Sequence, residues 1–375
     1  MKTEADSYVW QIADSPYPSE VLQGSMEFGK VNPSYLIDQY SGRRPALINA
    51  EFLQTKKLEF KFFPSALLDS NLARQVYAVA NGGTVNDGFR DLLKHLTIHG
   101  WDFSLYFYYL EHYCKAASIS DFVANAEVRT EALLKLHSMD NRKYLESGEI
   151  EPNPEAVSHY LASTNSSSLA EVAHKRVAEF TKNHSKVDTE TTIETIEIAI
   201  AKMVLIRRFE HPKGSPLQQY EMFKKFLEHD LGAMLAREAH LALHYFYDKA
   251  GRLLGTQAST PFKRAASNIS STAWDMYFLR FPELLFSGSP TEMSLAFIAT
   301  QEKQLAALAR LFSVESIIGS RSNGILPVIG YQSSGLPPEA MAVVHPARPS
   351  DIQRKSVSVG LKSALFNELQ RLLPP

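Results

Sequence analysis

A chain of 375 residues, 45% apolar and 21% charged, has a globular balance and length enough for two domains. Its net charge of −2 excludes a protein that coats polyanions by bulk charge and leaves only local patches. The single cysteine, Cys114, excludes intrachain disulfides and thiolate metal cages.

The opening MKTEADSYVW carries acids and no apolar signal core, and no apolar run reaches the ~20 residues of a membrane span. The expectation is a cytoplasmic protein with no membrane partner. Residues 1–56 form an N-terminal segment in which Pro and Gly break any period. In the next part, 57–117, LEFKFFPSALL is rich in aromatic and aliphatic residues. Because Pro64 would interrupt a central ladder, the reading is an edge-like strand before it and a short buried strand after it. Helical text follows at 70–80 and 103–117.

Residues 118–255 carry helix spacing throughout and need no strand. Polar loops near GEIEPNP, STNSS and EHPKGS divide them into three to five helices. Residues 118–200 are net acidic and 202–264 net basic. A solvated face and a phosphate-facing surface both account for this, the latter through Lys224, Lys225, Lys263 and Arg264.

Residues 256–375 return to alternation. A helix opens at Thr260-Pro261 and runs to about Pro282. The strand LAFIAT, the helix KQLAALARLF, the strand ILPVIGY and a C-terminal helix in VSVGLKSALFNELQRLL follow. Strands alternating with helices at both ends imply a parallel α/β domain split by an all-helical insertion.

In an open parallel sheet, ligands gather at the carboxyl ends of the strands. Asp69 and Glu302 both sit at such ends, each just before a helix. Glu111 lies in the aromatic helix DFSLYFYYLEHYC, and Asp275 in STAWDMYFLRF. Carboxylates among such neighbours are costly to bury unless paired or bound to a cation. Capping or local pairs, with His112 or Arg280 as partner, explain any one of them. Four in one alternating framework point to a hard oxygen site for Mg²⁺ or Mn²⁺ and to phosphodiester hydrolysis.

An aliphatic strand ending Asp69-Ser70-Asn71, a later helical Glu111, a helical Asp275 and a strand closing on Thr300-x-Glu302-Lys303 resemble, in that order, the PIN-like nuclease family. The resemblance covers 57–117 and 256–330, and its closing acid is Glu302 where Asp is usual. It implies a three-layer α/β/α parallel-sheet domain, here divided by the insertion at 118–255, that cleaves RNA or, second, single-stranded DNA. By position Asp69, Glu111, Asp275 and Glu302 are the metal-binding catalytic acids. Asn71, Thr300, Lys303, Arg264 and Arg280 are the candidates for holding substrate.

Other constellations compete. His240 and His244 share a helix face four residues apart, without the intervening Glu of a zinc-protease motif; helix packing or a surface position accounts for them. Glu238 competes with Glu111 for the second acid. Glu171 and His174 make one Glu-x-x-His where a di-iron bundle needs two. Phosphate-loop, dinucleotide and nucleophile-elbow motifs are absent. The primary expectation is thus a metal-dependent endoribonuclease. The alternative is a non-catalytic protein that binds a protein partner through its helical block, and self-association is open under both.

Overall fold

The computed structural model describes residues 7–13, 24–40, 42, 44–48, 54–55, 61–233, 235–250, 254–285, 287–288, 292–320, 324–333, 335–343 and 360–375. The chain divides into two compact units. The first comprises Met1–Lys186, Phe281–Ala306 and Ser313–Gly330; the second comprises Val187–Arg280, Ala307–Phe312 and Tyr331–Pro375. The run of helices beginning at residue 118 is therefore shared between the units, with the division after Lys186. Among the described residues no helix is long and apolar enough to cross a membrane.

The fold is mixed α/β. Ten strands are described: β1 (Ser7–Ala13), β2 (Met26–Phe28), β3 (Ser34–Ile37), β4 (Arg44–Ile48), β5 (Lys61–Leu68), β6 (Asp102–Ser104), β7 (Ser287–Gly288), β8 (Glu292–Thr300), β9 (Phe312–Ser320) and β10 (Gly324–Tyr331). The principal sheet of the first unit has the order β2-β3-β8-β5-β6, with β7 beside β8. β5 runs parallel to both β8 and β6, whereas β3 pairs antiparallel with β8 and β2 with β3. The parallel sheet expected from the alternation is thus present as β8-β5-β6, with β3 and β2 added antiparallel beyond β8.

Ala66, Leu67 and Leu68 of β5 and Leu295–Ala299 of β8 are all buried, the continuous apolar text of strands covered on both faces. Their register, Leu68 opposite Ala299, brings both strand ends to the same edge. The Asp69 amide then donates to the Ala299 carbonyl at 2.9 Å.

Several expectations are corrected. β5 is a single strand through Pro64, and it is central rather than edge-like. β6 pairs with it only from Ser65 to Leu67, so the donor Pro64 lacks has no partner to miss on that side. ILPVIGY, in β10, belongs to a separate sheet of order β10-β9-β1-β4. The strand β9 beside it begins at Phe312, where the helical text of KQLAALARLF ends.

The helices of the first unit are α1 (Ser70–Ala80), α2 (Asp87–Ile98), α3 (Tyr106–Lys115), α4 (Ile119–His137), α5 (Asn141–Ser147), α6 (Pro154–Thr164) and α7 (Leu169–Asn183). Leu72 and Val76 of α1, Phe89, Leu92 and Leu96 of α2, and Leu133 and Leu136 of α4 join the strands in one core. The helical block holds more helices than three to five because each short loop carries its own cap. Ser118, Asp140, Asn153 and Ser168 all accept a bond from the first turn that follows them.

Gly88 marks a close approach of backbone to backbone in this unit. A Cβ there would overlap the Asn32 carbonyl oxygen and stand 2.7 Å from the Ser34 nitrogen and 2.8 Å from the Phe28 oxygen. All three are backbone atoms and none can swing aside. Gly88→Ala is expected to destabilise by about 1–3 kcal/mol, read as a lower melting temperature; an unchanged melt rejects the contact.

In the second unit, α8 (Lys186–Leu205) buries almost every residue from Ile196 to Leu205 and passes into a π-helical turn, Ile206–Glu210. α9 (Pro216–Lys225) starts on a capping box formed by Ser215 and Gln218 and runs into a second π-helical turn, Phe226–Leu231. Every residue of α10 (Ala236–Phe246) is buried except Ala236, Arg237, Glu238, His240 and His244 included. α11 (Phe262–Phe278) follows Pro261, and the C-terminal helix Leu361–Leu372 ties to α8 through Lys362 and Glu197 at 2.6 Å.

Candidate carboxylate site

Asp69 stands between β5 and α1 and serves two elements at once. Its Oδ1 accepts from the Ser70 amide at 2.6 Å as the helix cap. Its Oδ2 accepts from the Thr300 hydroxyl at 2.8 Å and, more weakly, from the Asn71 side-chain amide at 3.5 Å. Thr300 is fully buried at the end of β8, and its hydroxyl oxygen also accepts from the Glu302 amide at 2.9 Å. One threonine therefore locks the two strand ends together.

Two further carboxylates join Asp69. The Asn71 amide donates to Glu302 Oε1 at 2.7 Å, so Asn71 bridges the two acids. Glu111, on α3, accepts from the Ser70 hydroxyl in a short contact and from Lys115 Nζ at 2.5 Å. Asp69 is only 6% exposed while Glu302 is open to solvent. Burial pushes the Asp69 pKa up to about 7, with the charge of Glu302 and then Glu111 adding to it against the Thr300 hydrogen bond. A carboxyl group so placed carries a proton near neutrality or needs a cation beside it.

The donor set is hard oxygen, which fits Mg²⁺ or Mn²⁺ in kind, and like-charge crowding is the condition a cation relieves. As the side chains stand, Asn71 occupies the gap between Asp69 and Glu302. Among the described residues, no three Asp, Glu, His or Cys side chains close into a metal-holding group.

Lys303 is exposed at the start of the helix Lys303–Ala309. Asp275, half-buried between Trp274 and Met276 on α11, belongs to the second unit, as do the exposed Arg264 and the half-buried Arg280. Arg280 is the partner of Glu238, both carboxylate oxygens at 2.8 Å, and also donates to the Met276 carbonyl at 2.6 Å. Of the two rivals for second acid, Glu111 is the one beside Asp69, and Glu238 is buried in the second unit.

His240 and His244 are packing residues and not surface ones. Their Nε2 atoms are 3.1 Å apart and lie 3.0 and 3.2 Å from the Gln332 carbonyl oxygen. Burial and the neighbouring His244 push the His240 pKa down to about 4, and burial lowers that of His244, which keeps the pair neutral. His174 pairs with Glu127 across α7 and α4 at 2.7 Å.

Ser70 and Lys115 went unassigned in the sequence. Lys115 carried a signal, since it follows Glu111 by four residues on one helix face. Ser70 carried only its place in Asp-Ser-Asn. No protein-family model, curated protein or solved structure matches this chain.

Proposed function

We propose that the first unit is a metal-dependent phosphodiester hydrolase of PIN-like kind that cuts RNA. The observation that carries the reading is the meeting of Asp69 and Glu302 at adjoining ends of two parallel strands, with Asp69 buried and Glu111 reaching them from α3 through Ser70. Asp69, Glu302 and Glu111 would hold Mg²⁺ or Mn²⁺. The bound cation would supply Lewis-acid polarisation of a phosphodiester oxygen.

The chain's own groups prepare that event. Thr300 fixes the Asp69 carboxyl by its hydroxyl and, through the Glu302 amide, sets the start of the Glu302 turn. Asn71 holds Glu302 toward Asp69, and Ser70 holds Glu111. Without a cation Asp69 holds its proton up to about pH 7, so a cation bound there would displace that proton and take its place. Lys115 offsets Glu111 and, with the exposed Lys303, offers cations to a phosphate backbone. RNA is preferred to single-stranded DNA on the strength of the family resemblance.

Labelled RNA and single-stranded DNA incubated with Mn²⁺ or with chelator test the reading. Mn²⁺-dependent cleavage of RNA, reduced ~10-fold or more in Glu302→Gln, is the expected result. Absence of cleavage of both polymers with Mn²⁺ and with Mg²⁺ would overturn it and leave the partner-binding alternative.

A further inference from the structure

The π-helical turn Ile206–Glu210 of the second unit presents two successive cations in different situations. Arg207 is matched: it reaches the Asp248 carboxylate at 2.6 Å and Gln219 Oε1 at 3.1 Å. The Arg208 guanidinium lies over the Tyr245 ring, 5.9 Å from its centroid, and its Nε is buried without a hydrogen-bond partner. The Tyr245 hydroxyl, on a residue 6% exposed, is likewise buried and unpartnered. Burial raises the Tyr245 pKa, and although Arg208 opposes this by its charge and by a weak contact with the hydroxyl oxygen that falls short of a formed hydrogen bond, the net direction is upward; the hydroxyl keeps its proton and remains a donor.

Both groups line one cavity of about 70 Å³, completed by Asp248, Gly255, Thr256 and Gln257. A single water needs only ~10–15 Å³, so the space suits an occupant of several heavy atoms. Thr256 gives its hydroxyl proton to the Leu254 carbonyl at 3.0 Å and makes no demand on that occupant. Among the described residues Asp248 is the one acid in the lining, and Arg207 holds it.

We propose that this cavity binds a phosphoryl oxyanion, held by the Arg208 guanidinium and the Tyr245 hydroxyl. Guanidinium has donors and no acceptor, and a buried donor without a partner is a standing cost that an acceptor-only ligand removes. The two arginines outweigh Asp248, so the local field favours an anion. The guanidinium stands over the tyrosine ring, so the two donors approach from different planes. A tetrahedral oxyanion offers oxygens to both, whereas a flat carboxylate serves the arginine fork alone. The site lies wholly within the second unit and does not rest on the carboxylate reading of the first.

Calorimetric titration of the full chain with sodium phosphate at constant ionic strength tests this, with acetate as the flat anion. Adenosine 5′-monophosphate against adenosine separates a phosphomonoester from free phosphate. Saturable binding of phosphate or of the monophosphate is expected, and whichever binds more tightly names the source. Arg208→Gln should weaken binding roughly tenfold or more, as loss of a charge-assisted bond does. Arg208 also contributes to packing, so Tyr245→Phe, which removes one oxygen from a buried ring, is the second variant; it should weaken binding several-fold without changing the ligand-free melt. No binding of either phosphate by the wild type, unchanged affinity in both variants, or acetate binding as tightly would overturn the assignment.

Discussion

Asp69→Asn is expected to remove Mn²⁺-dependent cleavage while leaving the chelated protein as stable as the wild type at pH 8, or more so. The stability half of this result follows from the sign of the pKa shift. In the unfolded chain Asp69 titrates near its ordinary 3.8; in the fold it titrates near 7, because burial and then Glu302 disfavour the charge. Between those values the folded state binds the extra proton. The contribution of Asp69 is therefore complete below about pH 4 and is lost as pH rises through 7, on the order of 4 kcal/mol in all. Asparagine cannot ionise, still caps α1 by accepting from the Ser70 amide, and has a group to face Thr300. Chelated Asp69→Asn should thus show a flat stability profile between pH 4 and 8 where the wild type declines. A parallel decline in both proteins would place the titration elsewhere.

The activity half rests on the same atom. Asp69→Asn removes a charged ligand from the cation that would polarise the phosphodiester oxygen, so cation-dependent cleavage falls with it. A cation that binds only the native wild-type site also adds about 2.7 kcal/mol at a hundredfold excess over its Kd. Mn²⁺ should raise the wild-type melting temperature and barely move that of Asp69→Asn. Equal shifts in the two melts would remove Asp69 from the metal site even if cleavage were lost.

Asp69 and Glu302 were legible because each follows a short apolar run at the end of a strand, and parallel pairing sets such ends side by side. Glu111 was legible as a polar exception on an aromatic helix. What hid the rest was distance in sequence. β3 is four buried residues, SYLI, with no alternation to reveal that it pairs beside β8. β9 starts three residues after a helix ends, and its partner β1 lies at the other end of the chain. α2 did carry a readable signal, Asn86 accepting from Phe89 ahead of an amphipathic run. The Asn71 bridge to Glu302 depends on a contact spanning 231 positions, which no local pattern encodes.

Arg280 shows the same limit and supplies the second large effect. Sequence context made it a candidate for substrate; its guanidinium instead grips Glu238, whose side chain is fully buried, while the Arg280 side chain is 19% exposed. Arg280→Met is expected to destabilise the chain by about 3–5 kcal/mol, because it strands a buried carboxylate whose attraction to its partner had offset desolvation. Adding Glu238→Gln removes the stranded charge, and the double variant should recover most of that loss in a urea unfolding series. The double variant also separates structure from substrate contact. If Arg280 serves only Glu238 and the Met276 carbonyl, the refolded double variant cleaves RNA near the wild-type rate and with the same salt dependence. If Arg280 also meets phosphate, stability returns while cleavage stays low and the salt slope flattens by about one unit. Failure of Glu238→Gln to restore stability would mean that the cost lies in the bond to Met276 or in packing of the arginine stem, and not in the ion pair.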